Sequence, residues 1–263
     1  MNNKRIDTVI TSEEIISILR RYNIGKKPLA RLLGWGETTI LRYIEGDIPT
    51  TEYSKKLISI LEDPEYYYET LEHNQDLITG VAYRKSREAV LEIILSSKIN
   101  KVSYYIMHIS KLSKWDISAK YLQCILYYSQ VFSLVLFNNE LFPDDCMVND
   151  EYIPYENQYK RMERNSSYII NCNNISLSPT EKALIKEVYE AFSWYGPRAF
   201  HQMALYDKSS IKISRDQRNR RIFAKDSLKA YYDEVLKIYN IANINEIKRY
   251  PGLRLREICE RNE

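Results

Sequence analysis

The chain has 263 residues, of which 44% are hydrophobic and 28% charged, and its formal net charge is +3. That length allows one large domain or two small ones, and that apolar content supports a substantial core. A charge this close to balance excludes reading the chain as a nucleic-acid binder from charge alone.

In chain order the pattern is helical. Thr11 and Glu14 of "TSEEIISILRRYN" stand at capping-box spacing, and Ile15, Ile18 and Leu19 follow on one face. "KKPLARLL" predicts a short second helix with Pro28 in its first turn. Gly34-Trp35-Gly36 predicts a bend. "ETTILRYIE" predicts a third helix that Gly46 ends. A fourth, over "IPTTEYSKKLISILED", would turn Leu57, Ile58 and Leu61 inward. Pro64 punctuates it, and "EYYYETLEHN" predicts one more short helix, with Tyr66–Tyr68 used for packing. Residues 76–97 read as a stiff connector that becomes helical.

The second half opens on "INKVSYYIMHISKLSKWD". In "ISAKYLQCILYYSQVFSLVLFNNELF", Leu122, Ile125, Leu126, Ser129, Phe132 and Leu136 recur at helical spacing while other faces are also apolar. A helix apolar on most sides is central and buried. Between Phe142 and Ser176 the pattern predicts a short helix at Glu156–Glu163 and a strand at Tyr168–Ile170. "SPTEKALIKEVYEAFSWYG" is well punctuated: Ser178 caps, Pro179 takes the first position and Glu181 completes the box. Leu184, Val188, Ala191, Phe192 and Tyr195 would line its inner face. "PRAFHQMALYD" predicts a further helix, "KSSIKISRDQRNRR" a basic loop and "AKDSLKAYYDEVLKIYN" a last amphipathic helix. The end, "KRYPGLRLREICERNE", reads as a charged tail that frays.

Two short helices joined by a glycine-containing turn make a helix-turn-helix arrangement. The second would expose Glu37, Thr38, Thr39 and Arg42 near its start, where a recognition helix meets base edges, and turn Ile40 and Ile44 inward. Arginine can pair bidentately with guanine, and threonine can meet phosphate or a thymine methyl. Residues 1–60 carry ten Lys/Arg against seven Asp/Glu, a modest electrostatic footprint. A plain helical hairpin without a nucleic-acid role is the alternative.

Resemblance adds to this reading. "LARLLGWGETTILRYIEGDIPTTEYSKKLISILEDP" is similar to the helix-turn-helix of MqsA-like antitoxins and related repressors. "KYLQCILYYSQ", "LFNNELFPDDC" and "LSPTEKALIKEVYEAFSWYG" resemble the Panacea domain, the SocA-like antitoxin domain known from phage as GepA. Lys120, Leu122, Gln123, Leu126, Tyr127 and Tyr128 match its first helix, and Leu141 and Phe142 its Leu-Phe element. Leu177, Ser178, Glu181, Val188, Tyr195 and Gly196 match its later helix. The chain departs from the family in two loops, at "MVNDEYIPYENQ" and at "ALYDKSSIKISRDQ", so the family's partner does not carry over.

The resulting expectation is an all-α protein. Residues 1–75 would form a helix-turn-helix DNA-binding domain, 76–97 a helical connector, 98–240 a Panacea-like protein-binding domain and 241–263 a tail. The resemblance implies a type II antitoxin that neutralises a cognate toxin protein and represses its own operon. A phage or prophage regulator, or an inhibitor of a host defence enzyme on the same scaffold, is the alternative. Operator DNA and a second copy of the chain are the other expected partners. The divergent loops and the basic cluster supply the candidate partner contacts Met147, Asp150, Tyr152, Tyr155, Lys208, Lys212 and Arg215.

Catalysis and cofactors are not expected. Cys124, Cys146, Cys172 and Cys259 lack metal-site spacing, as do His73, His108 and His201, and no phosphate-binding glycine loop occurs. Asp144–Asp145 reads as a turn or helix cap, and His201 as a packing or surface residue. No apolar run reaches the roughly 20 residues of a membrane span, and the N-terminus lacks a signal-peptide core. The chain is therefore expected in the cytoplasm, away from membranes.

Overall fold

The computed structural model describes residues 9–114, 117–164 and 175–261. The fold is all-α, with two three-residue strands as its only strands among the described residues. The chain divides into two compact units, Met1–Ser96 and Ser97–Glu263. The strand expected at Tyr168–Ile170 lies outside the described residues.

The first unit holds α1 (Ser12–Arg21), α2 (Lys26–Leu32), α3 (Thr39–Ile44), α4 (Thr51–Glu62), α5 (Pro64–His73) and α6 (Gly80–Ile94). The capping box at α1 forms as expected: Glu14 N–H donates to Thr11 Oγ1, and Thr11 N–H donates to the Glu14 carboxylate. Asp63 caps α5, with Pro64 in its first turn. Ile15, Ile18, Leu29, Ala30, Leu32, Ile40, Leu57, Ile60, Tyr67, Leu71 and Val90 form the core. On α4 the inward face is Ser54, Leu57 and Ile60 rather than Leu57, Ile58 and Leu61. That rotation carries the Ile60 carbonyl to the buried Tyr22 hydroxyl, which donates to it at 2.7 Å.

Residues 76–97 do not stand apart as a connector. α6 packs on α5 and closes the first unit. Ser86 is buried on it, donates to the Tyr22 carbonyl at 2.7 Å and shares a hydrogen bond with the Tyr67 hydroxyl. The Tyr22 and Tyr67 rings stack with centroids 3.9 Å apart. Arg87 on α6 pairs with Glu72 on α5 at 2.9 Å. A buried serine joining two elements far apart in sequence leaves no trace in local periodicity.

The second unit holds α7 (Lys98–Leu112), α8 (Ala119–Leu136), α9 (Glu156–Arg164), α10 (Pro179–Phe192), α11 (Pro197–Lys208), β1 (Ile213–Arg215), β2 (Arg221–Phe223), α12 (Lys225–Ile238) and α13 (Tyr250–Arg261). As its pattern requires, α8 is central: every residue from Tyr121 to Leu134 except Cys124 is buried, and α7, α9, α10, α11 and α12 pack around it. Its buried Gln130 is satisfied by the chain that follows: Nε2 donates to the Phe142 carbonyl at 2.9 Å, and Oε1 accepts the Leu141 and Phe142 N–H groups. That clamp explains why Leu141 and Phe142 are buried at the end of an otherwise polar stretch.

Two expectations about secondary structure fail in this unit. The basic stretch is not a loop but an antiparallel hairpin in which Ile213, Ser214 and Arg215 pair with Phe223, Ile222 and Arg221. Asp216 folds its tip by accepting the Arg218 and Arg220 N–H groups. The expected charged tail is helical over Tyr250–Arg261. In that helix, α13, Tyr250 is fully buried and Arg254 is 2% exposed. Arg254 Nε donates to Asp207 at 3.0 Å, and the Tyr231 and Tyr232 hydroxyls donate to the same carboxylate at 2.7 Å each. A charge cluster reads as solvated until its buried counter-ion is known.

Candidate functional site

Two surfaces merit description, one in each unit. In the first unit the chain turns two residues after α2, at Gly34, whose φ of +73° is the left-handed conformation that glycine adopts without strain. Trp35 then stacks on Tyr53 with centroids 4.0 Å apart, which fixes the bend, and Ile40 buries fully beneath α3. Thr38 and Arg42 are exposed, while Glu37, Thr39 and Ile44 are half-buried. Ile44 thus sits at the edge of the core rather than within it.

The charged members of this set are occupied. Arg31 Nε donates to Glu37 at 2.9 Å and Lys27 stands 3.7 Å away, so the carboxylate ties the start of α3 back to α2. The Arg31 guanidinium holds the Glu37 carboxyl below the usual carboxylate range. Arg42 Nε donates to Asp47 at 2.7 Å. Thr38 and Thr39 remain as the polar groups at the start of α3.

In the second unit a cavity of about 210 Å³ lies between α8, α11, β2 and the segment from Cys146 to Pro154. Its first wall is a stripe of α8: Lys120, Gln123, Cys124, Tyr127 and Tyr128, at the i, i+3, i+4, i+7, i+8 spacing of one helical face. Phe200, His201, Ala204 and Lys208 make the matching stripe on α11. The floor residues Gln123, Tyr128 and Phe200 are buried, whereas Lys120, Arg198 and His201 at the rim are exposed.

The third wall is held firmly. Asn149 clamps its own loop, donating from Nδ2 to the Ile153 carbonyl at 2.7 Å and accepting the Ile153 N–H at 2.9 Å. Val148 N–H donates to the Arg221 carbonyl, and Phe223 N–H to the Cys146 carbonyl, so β2 anchors the segment. Gln123 Oε1 accepts the Tyr155 N–H at 2.8 Å. Tyr152 takes a φ of +56°, and its ring lies 4.4 Å from that of His201. Lys208 Nζ lies 5.5 Å above the same ring and 3.9 Å from Asp150.

Of the seven expected partner contacts, Met147, Tyr152 and Lys208 line this cavity and Asp150 sits at its rim. Lys212 and Arg215 are exposed on the hairpin, away from the cavity wall, and Arg215 Nη1 donates to the Asn219 carbonyl. Tyr155 is a correction. It is only 4% exposed and its ring packs against Phe142, because the Gln123 clamp draws its backbone inward.

Lys120, Gln123, Arg198 and His201 entered no sequence-based site. The signal for Gln123 was available: a polar residue on the buried face of an otherwise apolar helix needs a reason. Arg198 and His201 carried no such signal, because their place beside α8 is set by the packing of α11. Burial pushes the Cys124 and Cys146 thiols well above their ordinary pKa, which keeps both protonated and poor nucleophiles. Among the described residues no group of His, Cys, Asp and Glu is arranged to hold a metal ion, and no helix is long and apolar enough to cross a membrane.

The chain matches no family model, no curated protein and no solved structure.

Proposed function

We propose that this chain is a two-part regulator of the type II antitoxin kind. The first unit binds operator DNA, and the second binds and neutralises a cognate toxin protein. The observation that carries the reading is the turn at Gly34. It presents Thr38 and Arg42, with the half-buried Thr39 between them, at one edge of a compact unit with its own core. Short polar side chains at the start of a helix, with an arginine one turn on, suit phosphate and base-edge contacts. A second unit with a separate core offers its own surface to a protein.

Features of the second unit support a protein partner. Trp194, in the turn between α10 and α11, is 89% exposed, and tryptophan is enriched among residues that anchor interfaces. Masking a toxin is a binding event, which needs shape and apolar anchors rather than a catalytic group. A modestly basic head gains most from two copies on paired half-sites, so the DNA-bound form is proposed to be a dimer.

The test pairs two measurements on the full chain. A gel shift with the DNA upstream of its own gene should show binding that a scrambled fragment does not compete away. Co-expression with the protein encoded by the adjacent gene should restore growth if that protein is toxic. DNA binding without rescue, beside a neighbouring gene that is harmless, would favour a regulator without a toxin. Absence of both would overturn the reading.

A further inference from the structure

The cavity between α8 and α11 has the attributes of a small-molecule site. Two of its lining side chains keep a buried polar atom without a partner among the described residues: the Gln123 amide nitrogen and the Tyr128 hydroxyl. Gln123 is 1% exposed, and its other amide atom, Oε1, is already engaged by the Tyr155 N–H. Its orientation is therefore set, and the free NH₂ can only donate. Buried polar groups of native proteins are almost always satisfied, but neither of these atoms is reached from the cavity, so its occupant is set by the rest of the lining.

The rest of the lining narrows the chemistry. Tyr127, Tyr128, Val148, Pro154, Phe200 and Phe223 give an apolar and largely aromatic interior. Three cations line the site, Lys120, Arg198 and Lys208, against one carboxylate, Glu151. Lys208 is engaged by Asp150 and Tyr152, which leaves Lys120 and Arg198 with no ion-pair partner among the described residues. Size sets the remaining limit. A cavity of about 150 Å³ accommodates one benzene ring. At about 210 Å³ this one takes a single ring with a short substituent, and neither a nucleotide nor a folded peptide segment.

We propose that this cavity binds a small aromatic carboxylate. The ring lies against Tyr127, Tyr128 and Phe200, and the carboxylate meets Lys120 and Arg198. This site goes beyond the antitoxin reading and does not depend on it. Because the segment from Met147 to Tyr152 is at once a wall of the cavity and a candidate partner surface, ligand occupancy is placed to alter partner binding.

Isothermal titration of the full chain tests this with benzoate, phenylacetate and 4-hydroxyphenylacetate beside 4-hydroxyphenylacetamide, the neutral match of the last. The acids should bind, and the amide should bind at least tenfold more weakly than 4-hydroxyphenylacetate. Lys120→Gln with Arg198→Gln, both at exposed positions, should lower the acid to the level of the amide while the thermal melt stays unchanged. Ala204→Phe should fill the cavity and abolish binding. Failure of all three acids to bind at millimolar concentration would overturn the proposal. Equal affinity for acid and amide would do the same, and that comparison needs no variant to fold. So would undiminished binding to a folded Ala204→Phe chain. None of these measurements involves DNA or a toxin, so the antitoxin reading stands or falls separately.

Discussion

Arg42 Nε donates to the Asp47 carboxylate at 2.7 Å, and the Asp47 N–H donates back to the Arg42 carbonyl at 3.0 Å. Gly46, with φ at +118°, turns the chain so that the residue after it returns to α3. The arginine to which the proposed function gives a base contact is thus held by a carboxylate five residues further along the chain.

An exposed pair of this kind is worth about 0.2–1 kcal/mol. The proposed base contact of Arg42 would break it. Asp47→Asn should therefore tighten operator binding by a few-fold, measured by gel shift at fixed salt. Arg42→Ala should weaken specific binding by about 1–3 kcal/mol, the range for one bidentate base contact. If both variants match the native chain in affinity and specificity, α3 is not the reader.

The buried pair Asp207–Arg254 makes a stability prediction for the second unit. Arg254→Met strands a carboxylate that is 1% exposed, and breaking a buried pair in this way costs about 3–5 kcal/mol. Replacing both partners, Asp207→Leu with Arg254→Met, should recover part of that loss in urea unfolding. A single variant as stable as the native chain would show that the pair contributes nothing. Deleting residues after Arg249 removes Tyr250 and Arg254 together, and should leave the second unit unfolded by circular dichroism.

Trp194 yields the cleanest interface test. Its exposure means that Trp194→Ala removes little intramolecular packing, so the melt should hold. If the indole anchors the partner, truncation should cost at least about 2 kcal/mol of binding, as interface anchors do. Unchanged affinity in a pull-down or titration with the adjacent gene's product would remove Trp194 from the interface.

The tyrosines predict an alkaline limit. Burial pushes the Tyr22 and Tyr239 hydroxyls up to about 12, and Tyr127, Tyr128, Tyr232 and Tyr250 well above their ordinary value. In the unfolded chain each ionises near pH 10. A group raised in this way supports the fold fully below that pH, and its contribution is lost as pH climbs through the folded value. Stability should fall steadily between about pH 10 and 12. Absorbance near 295 nm should show exposed tyrosines titrating first and buried ones only with unfolding. A single smooth titration near pH 10 in a protein that stays folded would contradict the burial.

What the sequence by itself determined was local. The boxes at Thr11–Glu14 and Ser178–Glu181, the bend at Gly34 and the all-round apolar character of α8 each involve neighbours within a helical turn or two. Periodicity and capping chemistry report such neighbours directly. The tertiary structure decided whatever depends on a remote partner. It made α6 a wall of the first unit through Ser86, and it turned the C-terminal charges into a buried helix end because Arg254 meets Asp207, 47 residues earlier. It also moved Tyr155 from the surface to the core and set Gln123 beside Arg198 and His201 in one cavity. A charged or polar side chain looks the same in sequence whether water or a distant counter-group satisfies it. Only packing reveals which, and so only packing placed the candidate ligand site.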